Sequence, residues 1–289
     1  MFGRLKNRVM ESEEMDGRGW RSVGPEYFPL IPTYSHLFPT YSYLSLPISL
    51  YNSDILVYHY IKRSSASMLS ELWDYLKDYV KEGEYPMGID HRIDMWIESK
   101  GLKALTKGYK GFPTASCISV NRVAAHGIPT SRALNKGDIV KIDVMIEDEE
   151  GQIEDGCYTY LIPGPNTIKK RRLIKVAYEA MCVGINEAKE GVPVNKIGGA
   201  IHQYVLSQGF DVLKELWSHG VGRDGNAHVD PVIPSFYHPD YNYVLKKGDR
   251  ITIEPVIVEY SDYKIKIMND GWSVYCNCDN AQFERTIDV

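Results

Sequence analysis

The sequence predicts an α+β fold with its helices gathered on one face of a sheet, and three features lead there. Apolar residues recur three and four apart in two pairs of stretches, each pair is followed by segments of strand length, and glycines or prolines punctuate the boundaries. With 289 residues, 44% of them apolar, the chain can bury a sizeable core. A net charge of −5 without a run of like charges gives no footprint for nucleic acid. Residues up to Met15 mix Arg4, Lys6 and Arg8 with Glu11, Glu13 and Glu14 and lack the apolar stretch of a secretory signal. The longest apolar runs, such as Leu44 to Leu50, are far short of a membrane span. The 5 cysteines are odd in number and irregularly spaced, which favours a reducing compartment over a disulfide framework. A cytoplasmic protein without membrane contact is expected.

From Gly17 to Asp54 the prolines 25, 29, 32, 39 and 47 are too close for a helix or a central strand, so residues 1–54 read as a Tyr/Pro-rich arm and 55–289 as the folded domain. The arm's aromatics (Tyr27, Phe28, Tyr34, Tyr41, Tyr43) suggest that it packs across the body; docking to another protein is the rival reading. Leu56, Tyr60, Met68, Leu72, Leu76 and Val80 predict a helix over about Ser53 to Lys81, ended by Pro86, and a second follows from Ile89 to Ser99. Asp138 to Ile146 reads as a strand, and Glu149 to Gln152 as the turn of a hairpin. Helices over Ile168 to Lys189 and Val194 to Gln208 are closed by Gly191 and Gly209, and strands dominate from Val212 onward. This order suggests a mixed sheet. Cys276 and Cys278 read as a strand with alternating faces, with a metal or redox pair as the rival.

Acids stand where acids are expensive. Asp143 lies within the apolar strand Ile139 to Ile146, where an ionised carboxylate needs a compensating cation. Asp155 lies just across the turn, so hairpin pairing can bring both to one face. Glu254 interrupts the apolar run Ile251 to Val258, and Glu284 follows Phe283; Arg285 could neutralise it, yet adjacent strand residues point to opposite faces. His219 lies in the turn Ser218 to Gly222, which alone would be an ordinary surface histidine. Together, four acids carry a charge of about −4 that about two divalent ions balance, whereas without ions the acids would raise one another's pKa. Oxygen-rich ligation with one imidazole suits Mn, Fe, Co or Zn.

These residues also carry a family pattern. Gly111-Phe112-Pro113, Ser119-Val120-Asn121 and His126-Gly127-Ile128-Pro129, then Gly137 to Val144, Ser218 to Arg223, Thr252 to Pro255, Asp270-Gly271-Trp272 and Ala281 to Glu284, resemble in order the blocks of type I methionine aminopeptidases. The resemblance covers roughly Ser53 to Val289. It implies the pita-bread fold, a curved antiparallel sheet with helices on its outer face in two pseudo-symmetric halves, and makes 55–289 the catalytic domain. It implies metal ligands at Asp143, Asp155, His219, Glu254 and Glu284, with site histidines at His126 and His228, and it sets Tyr109, Phe112, Cys117 and Trp272 around the methionine side chain. About thirty residues separate Glu254 from Glu284, too few for the helical insert of type II members.

The implied activity is removal of the initiator methionine when the second residue is small, with two divalent ions (Co, Mn, Fe or Zn) activating a bridging water, Glu254 relaying the proton, and His126 and His228 steadying the oxyanion and amide. The expected partners are nascent polypeptide N-termini near the ribosome, and the expected form is a monomer. A non-catalytic pita-bread protein binding ribosomes or RNA, and a proline-specific pita-bread peptidase, are the alternatives. Three departures stand out: Asp143 and Asp155 are one residue further apart than usual, the loop from His219 to His228 is about two residues longer, and Ala227 stands where many members have phenylalanine.

Overall fold

The computed structural model describes residues 67–289, so the expected amino-terminal arm and the start of the first helix lie outside the described residues. Helix α1 (Met68–Leu76) is capped by Ser67, whose hydroxyl accepts the Ser70 N–H at 3.3 Å. It buries Leu69, Leu72, Trp73 and Leu76, the three-and-four spacing seen in the sequence. Pro86 does not end this helix but opens the next, α2 (Pro86–Ser99), where its missing N–H costs nothing. Short strand β1 (Lys103–Ala104), a 3-10 turn at Tyr109–Gly111, β2 (Cys117–Val120) and β3 (Val123–Ala125) lead to the hairpin of β4 (Ile139–Glu147) and β5 (Ile153–Leu161). Its turn is closed by Asp148 N–H to Gln152 O at 3.0 Å and Gly151 N–H to Asp148 O at 3.1 Å.

The second helix pair, α3 (Ile168–Glu187) and α4 (Val194–Ser207), precedes the remaining strands: β6 (Asp211–Val212), β7 (Ser218–Gly220), β8 (Val229–Ile233), β9 (Arg250–Ile253), β10 (Val256–Val258), β11 (Ile265–Ile267), β12 (Val274–Cys276), β13 (Asn280–Gln282) and β14 (Glu284–Asp288). The main sheet runs β1-β4-β5-β14-β9-β7-β8, with β2 also on β4, and two three-stranded sheets, β13-β10-β6 and β11-β12-β3, complete the body. Every ladder is antiparallel rather than mixed. The physical reason is topological: β5 and β6, which flank the second helix pair, fall in different sheets, so that pair does not serve as a crossover between parallel neighbours.

Side-chain alternation separates the sheet's two faces. Tyr158 and Phe283 turn toward the helices, Tyr158 against Trp73 of α1 at 6.0 Å and Phe283 edge-on to Tyr178 of α3 at 5.4 Å. A side chain at Gly156 would strike Leu69 of α1 at 2.8 Å. Asp155 and Cys157, the neighbours of Gly156, therefore face the other way. Among the described residues no helix is long and apolar enough to cross a membrane.

Candidate metal centre

A line of directly paired residues crosses the sheet on the face away from the helices. Asp143 of β4 is opposite Cys117 of β2 on one side and Cys157 of β5 on the other, and Cys157 is in turn opposite Glu284 of β14. Asp155 is opposite Met145, so it lies diagonally beside Asp143 on the same face, as hairpin alternation requires. Thr286 locks this row from the next strand: its hydroxyl accepts the Asp155 N–H at 2.9 Å and donates to the Asp155 carbonyl at 2.8 Å. Thr252 opposes Thr286, and its hydroxyl accepts the His219 N–H at 3.0 Å and donates to Glu254 Oε1 at 3.0 Å. One strand to the next, the ladder carries all five expected ligands to one place.

His219 Nε2 lies 3.4 Å from Glu254 Oε1 and 3.7 Å from Asp155 Oδ2, while its Nδ1 is 2.9 Å from the Gly220 carbonyl, which leaves Nε2 facing the acids. Three overlapping sets bring their donor atoms within 4.8 Å of one another: Asp143, Asp155 and Glu284; His219, Glu254 and Glu284; and Asp155, His219 and His228. Asp155, Glu254, Glu284 and His219 are buried, and no lysine or arginine approaches them as an ion-pair partner among the described residues.

The electrostatics match an incomplete charge balance. Burial raises the Asp143 pKa to about 7; burial and then the Asp143 charge raise that of Asp155 well above its usual value. Glu254 and Glu284 are raised well above the normal range by burial first and by the neighbouring acids second. The imidazoles go the other way: burial lowers His219 and His126 to about 4 and His228 to about 2, so all three are neutral near pH 7. Crowded acids beside neutral imidazoles form a donor set that fits divalent cations, whose charge would reverse these shifts.

These groups line a cleft of roughly 450 Å³, its open mouth included, together with Thr106, Tyr109, Phe112, Cys117, His126, Met145 and His228. His126 enters it from a left-handed backbone, φ 54°, beside Gly127, an uncommon conformation for a residue with a side chain. Tyr109 stacks on His228 at 4.8 Å, and His228 on His219 at 4.1 Å. Trp272 is not among the residues lining the cleft but meets one of them, Phe112, edge-on at 5.2 Å.

Two lining residues escaped the sequence reading. Met145 shares a face with Asp143 because it lies two residues further along the same strand, so alternation alone could have found it. Thr106 is held by accepting the Met145 N–H at 2.9 Å, a contact with no sequence signature. Ala227 is buried with Met145, Ile153 and Val221, with Leu105 and Tyr109 packed against them, so the space beside it is filled. β12 ends at Cys276, so the expected strand does not reach Cys278, and the two sulfurs lie 3.4 Å apart in the apolar core.

Fold and cleft together define a protein built to hold metal ions under a small, partly apolar pocket. The pattern of the metallopeptidase family M24 matches residues 62–289, and the chain belongs to that family. It is 34% identical over 232 residues to a methionine aminopeptidase of Haemophilus influenzae, which covers 78% of this chain and 85% of the relative. It is likewise 34% identical over 233 residues to methionine aminopeptidase 1 of Bacillus subtilis, covering 79% of this chain and 91% of that protein. The crystal structure of methionine aminopeptidase from Rickettsia prowazekii superimposes with a TM-score of 0.71 at 33% identity, covering 76% of this chain and 88% of the other. The architecture is accordingly the pita-bread fold, and the chain is a metallopeptidase.

Proposed function

We propose that the chain removes the amino-terminal methionine from newly made polypeptides whose second residue is small, in the cytoplasm and as a monomer, and that residues 1–54 are a Tyr/Pro-rich arm preceding the catalytic domain in sequence. The observation that carries the catalytic reading is the convergence of four buried or half-buried acids with one imidazole on the floor of a pocket walled by Tyr109, Phe112, Cys117 and Met145. Asp143, Asp155, His219, Glu254 and Glu284 would hold two divalent ions, drawn from Co, Mn, Fe or Zn. Such ions, when bound, supply an acidified water as nucleophile and a Lewis acid for the scissile carbonyl.

The remaining work falls to side chains. Glu254 receives the Thr252 hydroxyl on Oε1 at 3.0 Å and the Gln282 amide on Oε2 at 3.4 Å, so its carboxyl is held still at the cleft. It takes the proton released by the nucleophile and passes it to the departing amine. His126 and His228 are neutral at working pH, so each offers an N–H to developing negative charge without adding a cation to the site. Tyr109, Phe112 and Cys117 give methionine's flexible thioether an aromatic and sulfur-lined wall, which Trp272 braces from behind Phe112.

The test is a chelator-treated preparation reloaded with each ion in turn and assayed on Met-Gly and Met-Ala peptides against Xaa-Pro peptides. Cleavage of the methionyl peptides alone is expected. Failure to cleave them with any of the four ions overturns the reading.

A further inference from the structure

The turn after β4 and the loop before His228 touch each other, and the contact turns on one buried acid. Glu147 is the last residue of β4, and its side chain is only 1% exposed. Its Oε2 receives the exposed Lys103 ammonium at 2.6 Å, and its Oε1 receives the backbone N–H of Gly225 at 2.5 Å. Gly225 belongs to the loop between β7 and β8, three residues before His228. The rest of the hairpin turn grips the same loop: the Asp224 N–H donates to the Gly151 carbonyl at 3.0 Å, and Arg223 Nη2 donates to the Glu150 carbonyl at 2.5 Å. Gly151 has φ +74°, which disfavours any other residue there, and a Cβ would also displace the Asp224 carboxylate, falling 2.1 Å from its Oδ1.

The loop combines these contacts with a tight turn of its own and with the burial of Ala227. Asp224 and Gly225 are both left-handed, at φ 52° and 81°, which turns the Gly225 amide toward Glu147. Within the loop, Gly222 N–H to Asn226 O at 3.1 Å and Asn226 N–H to Arg223 O at 3.0 Å close a tight turn. His228 then enters the cleft between Tyr109 and His219, and its buried Nδ1 has no hydrogen-bond partner among the described residues. That nitrogen does not anchor the ring, so its place depends on the stack and on the backbone behind it.

We propose that Glu147 is a positioning residue for the reaction: by accepting the Gly225 N–H it fixes the loop that carries His228, and the hairpin turn and this loop form one clamp. The inference rests on the role given to His228 above. The operative feature is the acceptor oxygen, because a backbone N–H to a buried carboxylate is a strong, geometrically demanding bond; the exposed Lys103 ammonium meets the other oxygen and keeps the carboxyl ionised.

Three variants of the full chain test this: Glu147→Leu, which keeps the volume and removes the acceptor; Glu147→Gln, which keeps an acceptor oxygen; and Lys103→Met. The readouts are kcat and KM on a Met-Ala peptide, and amide hydrogen exchange over residues 222–228, which is independent of activity. Glu147→Leu is expected to lower kcat about tenfold to a hundredfold, the scale of a misplacement near 1 Å, with KM within about threefold and faster exchange in the loop. Glu147→Gln and Lys103→Met are expected to stay within about threefold of the parent in kcat, with exchange like the parent's. A parent-like kcat in Glu147→Leu, or a Glu147→Gln as impaired as Glu147→Leu, overturns the assignment. Should the parent cleave no methionyl peptide, the aminopeptidase reading fails by itself and exchange alone decides the clamp: unchanged exchange in Glu147→Leu overturns it.

Discussion

Replacing Asp143 by asparagine should abolish hydrolysis and, in the absence of metal ions, make the protein more stable. Asp143 shares its face of the sheet with Asp155 and Glu284, and burial raises its pKa from 3.8 to about 7. An acid that holds its proton more tightly in the folded chain costs nothing below its unfolded pKa. Above that value the penalty grows by about 1.4 kcal/mol per pH unit and levels off above the folded pKa. For Asp143 the penalty starts near pH 4, reaches about 2 kcal/mol at pH 5 and about 4 kcal/mol at pH 8. Its carboxyl faces the cleft, where water screens it, so these figures are upper bounds. Asn keeps the shape and removes the charge. In chelator, urea denaturation of Asp143→Asn against the parent should therefore show a gain of a few kcal/mol at pH 8 and a smaller gain at pH 5, while the reloaded variant cleaves no Met-Ala peptide. A variant less stable than the parent at pH 8 in chelator, or a gain that shrinks as pH rises, would refute the reasoning.

Three further outcomes follow from the same geometry. His228→Ala should lower kcat by about a hundredfold to a thousandfold, the scale of losing one donor to developing charge, with KM changed little in steady-state kinetics on a Met-Ala peptide. Saturating ions at about a hundred times Kd should stabilise the parent by about 2.7 kcal/mol, seen as a rise of several degrees in Tm, and should leave the Tm of Asp143→Asn nearly unchanged. Ala227→Phe should cost about 1–3 kcal/mol of stability by thermal denaturation and lower kcat/KM for methionyl peptides, because Ala227 is buried among Met145, Ile153 and Val221 with Tyr109 packed alongside.

The acids that gather at the cleft were legible in the sequence because burial of charge leaves a mark in one dimension. Asp143 and Glu254 each break an apolar run, and a strand's alternation says which neighbours share a face. The hairpin joining Asp143 to Asp155 needed only a turn signal, and it formed with the register that puts the two acids on one diagonal. The way the halves meet was not legible: that Glu284 would pair with Cys157, or that Thr252 and Thr286 would lock His219 and Asp155, depends on strands far apart in sequence. The mixed sheet inferred from element order failed for the same reason, since order along the chain does not say which strands become neighbours. Pro86 was misjudged because one residue can stop a helix in its interior or open one at its first turn, and only the chain's path decides which.

The two length changes show what separates a departure from a defect. Taken singly, the extra residue expected in the turn after β4 would weaken the link between Asp143 and Asp155, and the longer loop expected before His228 would leave the proposed site histidine on a slack tether. In the fold each supplies what the other lacks. The turn offers carbonyls at Glu150 and Gly151, the loop offers the Arg223 guanidinium and the Asp224 amide, and Glu147 closes the contact from within the sheet. A loop ordered by its own contacts needs none of these; a loop ordered by the hairpin transmits any change at Glu147 to His228. Shortening the loop by removing Gly225 and Asn226 should therefore not restore the usual arrangement, because Glu147 would lose the Gly225 amide and remain buried with only an exposed lysine to satisfy it.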